Sequence, residues 1–254
     1  MAKGLDQAPK GFLDEDAGEF LDHPACPLST DGTRREFLAG CTVWLTSAAA
    51  AAAGAVSGPA GAQAPVPRLT RFSPSILADA RGEPLRAARL KARTNYIFHY
   101  PFVATPCLLL DLGRNVGGVG RKRSIVAFSA ICSHKLAYPA REVSFIRFQD
   151  RASTKSAADH IHCCADHSVY DPARGARVVS GPAPDALAEI VLEHDAQTDA
   201  LRAVGVRGTD QFEAFFRKYE FKLAMEWGAR VKDATGPQTR VEELTAFCRN
   251  IAQC

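Results

Sequence analysis

A chain of 254 residues with 31 basic and 28 acidic side chains, net charge +3, can hold one sizeable domain with extensions or two small ones. The near balance of charge, with no basic stripe interleaved with aromatics, excludes a dedicated nucleic-acid binder. Cysteines scattered over Cys26, Cys41, Cys107, Cys132, Cys163, Cys164, Cys248 and Cys254 exclude a small disulfide scaffold, and only the central group looks like metal chemistry.

In chain order, residues 1–64 read as a disordered polar region followed by an export signal or anchor. Arg34-Arg35 precedes Phe37-Leu38 and an uncharged, Ala-rich run to about Val56, a pattern that resembles a Tat signal. Ala60-Gly61-Ala62 offers a small-residue cleavage site; left uncut, a run of roughly 20 residues could just span a bilayer. Residues 65–95, rich in Pro, Arg and Ala, read as a linker.

From residue 96 to 208 the pattern is β-type. Tyr96 to Tyr100, Cys107 to Asp111, Ser124 to Ser129, Val143 to Phe148, Val178-Val179, Ile190 to Leu192 and Leu201 to Val206 are short apolar runs between Gly/Pro turns. They predict a mainly β domain, a small antiparallel sandwich or barrel. Arg151 to Asp159 reads as a polar inserted loop, and His160 and His162 as part of a strand. Residues 209–254 read as a helical extension. Phe212, Phe215, Phe216, Tyr219, Leu223 and Trp227 follow the helical period, and Val241, Leu244, Phe247 and Ile251 begin a second stripe. Cys248 and Cys254 are read either as a pair closing a loop or as free thiols.

The chemistry concentrates in Cys132-Ser133-His134, answered by His162-Cys163-Cys164-Ala165-Asp166-His167. Two Cys and two His, spaced C-x-H and C-x-x-H, suit a [2Fe–2S] cluster in which two imidazoles replace two thiolates on one iron and raise its potential. Ile131 to Pro139 and His162 to Asp171 resemble the two cluster-binding boxes of Rieske iron–sulfur proteins, and Ser180-Gly181-Pro182-Ala183-Pro184 resembles their third, cluster-covering loop. Gly117-Gly118-Val119-Gly120 leading into Ile125 to Cys132 is similar to the small subunit of arsenite oxidase, while the Gly-Pro-Ala-Pro loop is similar to the Rieske subunits of cytochrome bc complexes.

The resemblance implies an antiparallel β sandwich with a cluster-binding subdomain. Cys132 and one cysteine of the second box would bind the inner iron, and His134 and His167 the outer one. Ser168 and Tyr170 would donate hydrogen bonds to cluster sulfurs, and Gly181, Pro182 and Pro184 would form the lid. It further implies a periplasmic electron-transfer subunit with a larger redox partner, a molybdenum enzyme or a cytochrome b and c pair. Ala137 and Ala165 stand where such boxes commonly carry a disulfide between the loops. The register of the second box is open. C-x-x-H spacing selects Cys164 with His167, the preferred reading, whereas an ungapped match of Ile161, Ser168, Tyr170 and Asp171 selects Cys163 and puts Asp166 in the histidine's place. A structural zinc site and a cluster-free structural subunit are the rival readings.

Overall fold

The computed structural model describes residues 67–154 and 157–254, so the signal or anchor expected over residues 1–64 lies outside the described residues. No helix among those described is long and apolar enough to cross a membrane. The chain forms strands β1 (Leu69–Ala78), β2 (Tyr96–His99), β3 (Pro106–Asp111), β4 (Ile125–Ser129), β5 (Val143–Ser144), β6 (Ile146–Gln149) and β7 (His160–Cys163). Strands β8 (Ser168–Asp171), β9 (Arg177–Ser180), β10 (Glu189–His194) and β11 (Leu201–Arg207) follow, then helices α1 (Phe212–Lys218) and α2 (Glu220–Trp227). The end of the chain adds β12 (Gln238–Arg240), β13 (Glu242–Glu243), a single turn α3 (Leu244–Phe247) and β14 (Asn250–Ile251).

The large sheet runs β12-β1-β11-β10-β4-β3-β2-β13, a second sheet is the antiparallel meander β6-β7-β8-β9, and β14 pairs with β5. The mainly β architecture expected from the short runs is therefore what the chain adopts.

Strands β2, β3 and β4 read as nearly unbroken apolar runs because both faces of the sheet are covered. Side chains alternate along a strand. Tyr96, Phe98, Cys107, Leu109, Ile125 and Ala127 join one core with Phe212, Phe215, Phe216 and Leu223. Their neighbours Ile97, Leu108, Leu110 and Phe128 join a second core with Ile146, Phe148, Ile161, Cys163 and Tyr170. The large sheet is thus a partition, with the helices over one face and the meander over the other.

The aromatic stripe of the C-terminal helices closes the first core. Phe215 is fully buried, its ring 4.9 Å from Tyr138, 5.8 Å from Phe216 and 5.5 Å from Tyr219. Removing that ring leaves a cavity between helix and sheet, so Phe215→Ala is expected to cost about 3–5 kcal/mol, read as a lower urea midpoint at unchanged m-value.

Two expectations are corrected. The linker assigned to residues 65–95 contains β1, which pairs antiparallel with β11 and parallel with β12. Its pattern was masked by Ser73-Pro74, which fall where the β1–β11 register shifts between Arg71 and Ser75; a bulge is where a strand tolerates proline. The helical extension expected over residues 209–254 is helical in its first half, as α1 and α2, and departs from that expectation in its second. The second apolar stripe is spread over β12, β13, α3 and β14, three of which are strands added to sheets formed far earlier in the chain. Pairing with existing edges overrides a helical period that spans little more than ten residues.

Candidate metal centre

The first box begins where β4 ends. The Leu136 N–H donates to the Cys132 carbonyl at 3.0 Å and the Cys132 N–H to the Ala137 carbonyl at 2.9 Å, which curls the loop around the sulfur. Cys132 is buried; His134, two residues on, has a side chain 36% exposed. The second box is the hairpin between β7 and β8. The His167 N–H donates to the Cys163 carbonyl at 2.8 Å, and His167 itself adopts a left-handed φ of 61°. Period-two alternation on the β7 end then separates the adjacent cysteines. Cys163 belongs to the second core with Cys132, and Cys164 turns to the chain terminus, where it is bonded to Cys254.

The ligand atoms of Cys132, Cys163 and Asp166 all lie within 4.8 Å of one another. The Cys132 thiol donates to Asp166 Oδ2 at 3.1 Å, and His134 Nδ1 lies 3.1 Å from the same oxygen. Asp166 Oδ1 accepts the Ser168 N–H at 2.9 Å, and the Asp166 side chain is 2% exposed. The fold therefore brings Cys132, His134, Cys163 and Asp166 together. It does not bring Cys164 to Cys132, and the exposed His167 side chain makes no hydrogen bond or ion pair among the described residues. The preferred pairing of Cys164 with His167 is thus not the one that the fold sets against Cys132; hairpin alternation places the other cysteine inward.

Tyr170 stands behind the thiols, its hydroxyl 3.4 Å from Cys132 Sγ and 3.3 Å from Ser133 Oγ. The Cys163 thiol, then the Tyr170 hydroxyl and the His134 and Lys135 N–H groups, favour the Cys132 thiolate and hold its pKa below the usual thiol value against the pull of burial. Cys163 is pushed up, first by its hydrogen bond to Cys132 and then by burial, so Cys132 ionises first. Burial raises the Asp166 carboxyl, but the Ser168 N–H and the two thiols outweigh it and keep the pKa below the usual carboxylate value. The Ser168 hydroxyl is buried with no hydrogen-bond partner. Two sulfurs, a carboxylate and an imidazole, with an orphaned hydroxyl beside them, are a donor set that fits a sulfur-rich iron centre.

The Gly-Pro-Ala-Pro loop is held by both boxes. Gly181 has φ 89°, and a Cβ there would lie 2.5 Å from Ser168 Cα and 2.6 Å from the His167 carbonyl oxygen. The Ser133 hydroxyl donates to the Asp185 carbonyl at 2.7 Å, tying the loop to the first box. Pro182 and Pro184 are exposed on its outer side. Backbone cannot yield as a side chain can, so Gly181→Ala is expected to cost about 1–3 kcal/mol and to open the loop to proteolysis.

Several supports of the site had no sequence signal of their own. Lys218 on α1 donates to the Lys135 carbonyl at 2.6 Å, and Tyr219 stacks edge-on against Tyr138 at 4.9 Å, so the C-terminal helices brace the first box. On the other box, Arg147 donates to the Ala252 carbonyl at 3.3 Å beside the Cys164–Cys254 bond. Of the two readings of Cys248 and Cys254, the free thiol holds for Cys248, which is buried, and neither holds for Cys254, which reaches back across 90 residues to Cys164.

No family model matches the chain. Over 125 residues it is 31% identical to the iodate reductase subunit IdrB of Denitromonas iodatirespirans, an alignment covering 48% of this chain and 60% of that protein. A solved structure, the soluble domain of the Rieske protein II (soxF) from Sulfolobus acidocaldarius, matches 53% of this chain and 78% of its own at 27% identity, with a TM-score of 0.41. Two boxes on neighbouring loops of a β body, closed by a Gly-Pro loop, together with the similarity to the iodate reductase subunit, support a Rieske-type protein.

Proposed function

We propose that the chain is the one-electron relay of a periplasmic oxidoreductase complex, exported by its twin-arginine signal and docked to a larger, molybdenum-containing subunit. The observation that carries this reading is the placing of a buried Cys132–Cys163 pair beside the exposed His134, on loops that leave two β sheets. A [2Fe–2S] cluster bound there supplies a one-electron couple. The protein's own share is to bury the sulfur end, to hold the Tyr170 hydroxyl and the unpartnered Ser168 hydroxyl where a cluster sulfur could accept from them, and to present an imidazole edge through which a partner can be touched. The similarity to a subunit of iodate reductase supports a larger redox partner, and the Arg34-Arg35 motif supports export of the folded chain.

The deciding measurement is iron and acid-labile sulfide analysis with electron paramagnetic resonance of the dithionite-reduced protein. Two irons and two sulfides per chain with a rhombic signal are expected. Colourless, iron-free material would end the reading. Export is checked separately: Arg34→Lys with Arg35→Lys is expected to hold the protein in the cytoplasm.

A further inference from the structure

Resting on the electron-carrier reading above and refining its ligand set, we propose that Asp166 takes the place of a second histidine. The centre is then held by sulfur from Cys132 and Cys163, nitrogen from His134 and oxygen from Asp166.

The argument is geometric. Asp166 lies three residues after Cys163, so the hairpin that turns Cys163 inward also returns residue 166 to the same pocket. One carboxylate oxygen is pinned by the Ser168 N–H at 2.9 Å, which fixes the plane of the group. The other is thereby aimed at Cys132 Sγ and His134 Nδ1, 3.1 Å from each. A carboxylate that merely closed the hairpin would need only the first contact and would leave its second oxygen in water. Here the side chain is 2% exposed, and its one ion-pair partner among the described residues is His134, with no Lys or Arg beside it. Two sulfurs and a carboxylate gathered within 4.8 Å are costly together as charged groups and become favourable once a cation binds them. The contact between Cys132 and Asp166 gives way when metal enters between them. His167, by contrast, is exposed with a left-handed backbone and makes no side-chain hydrogen bond or ion pair among the described residues.

The chemical consequence follows from charge. A carboxylate brings a negative charge that a neutral imidazole does not, so the outer iron is harder to reduce than with two histidines. The carrier is then set at a lower potential than two imidazoles would give.

Nitrogen electron–nuclear double resonance on the reduced full-length protein tests this. The wild-type protein is expected to show one strongly coupled imidazole nitrogen. Asp166→His is expected to show two and a raised midpoint potential, and His167→Ala to leave spectrum and potential unchanged. Two coupled nitrogens in the wild type, one of them lost in His167→Ala, would overturn the Asp166 assignment and leave the electron-carrier reading standing. A zinc-loaded or iron-free protein with no signal would overturn both.

Discussion

Cys163→Ser is expected to abolish the visible absorption and the paramagnetic signal, whereas Cys164→Ser retains both. The two residues are neighbours in sequence and differ only in the face of the β7 end on which they stand. Cys163 is buried with Cys132, and its thiol is the first cause of the depressed Cys132 pKa. A hydroxyl in its place removes a thiolate donor that iron requires and leaves Cys132 a single sulfur, so the loss is complete and not graded. Cys164 is committed to Cys254. Since Cys164→Ser also breaks that bond, the control is Cys254→Ser, which breaks it without touching the box. If the cluster survived in Cys254→Ser and vanished in Cys164→Ser, Cys164 would be the ligand and the register given by the hairpin would be wrong.

The second large effect belongs to the Cys164–Cys254 bond itself. It closes a loop of 90 residues, for which the chain-entropy model assigns about 4–5 kcal/mol of stabilisation through the unfolded state. For a domain of this size that is a fall of roughly 10 °C or more in Tm on Cys254→Ser or on reduction, measured by scanning calorimetry. The loss should be local as well as global. Strand β14 pairs with β5 through the Ala252 N–H to the Ser144 carbonyl at 2.9 Å, and the Cys164 N–H donates to the Phe145 carbonyl at 2.6 Å. Amide exchange at Cys164 and Ala252 is expected to accelerate well beyond that of β3, whose hydrogen bonds lie inside the large sheet. Equal exchange at the two sites would mean that the tail is held by packing alone.

What could be read from the sequence, and what could not, divides along one physical line. Local periodicity announced β2, β3, β4, β10 and β11, whose apolar runs are long enough to stand out, and the C-x-H of the first box needs no distant partner. Strand β1 was hidden because its exposed Leu69 to Pro74 half breaks alternation at a bulge. The short strands β12 to β14 carry no pattern of their own and exist by adding to edges built by residues up to about 160 positions earlier. The way the second box faces was hidden for the same reason. Spacing favoured Cys164 through C-x-x-H and flank matching favoured Cys163, and the residue that separates them in the fold is Cys254, 90 positions further on. Asp166 was legible as a possibility from flank matching; the bond that occupies Cys164 is what lifts it above His167.

The partner of Cys164 also sets an order of events during synthesis. Cys132 and Cys163 can meet as soon as β8 has emerged and paired, long before the last strand exists. The latch cannot close until residue 254 has left the ribosome and reached an oxidising milieu. Loading of metal and locking of the hairpin are therefore separable in time, and a chain stalled or clipped near residue 240 would retain every proposed ligand while its second box hung unfastened.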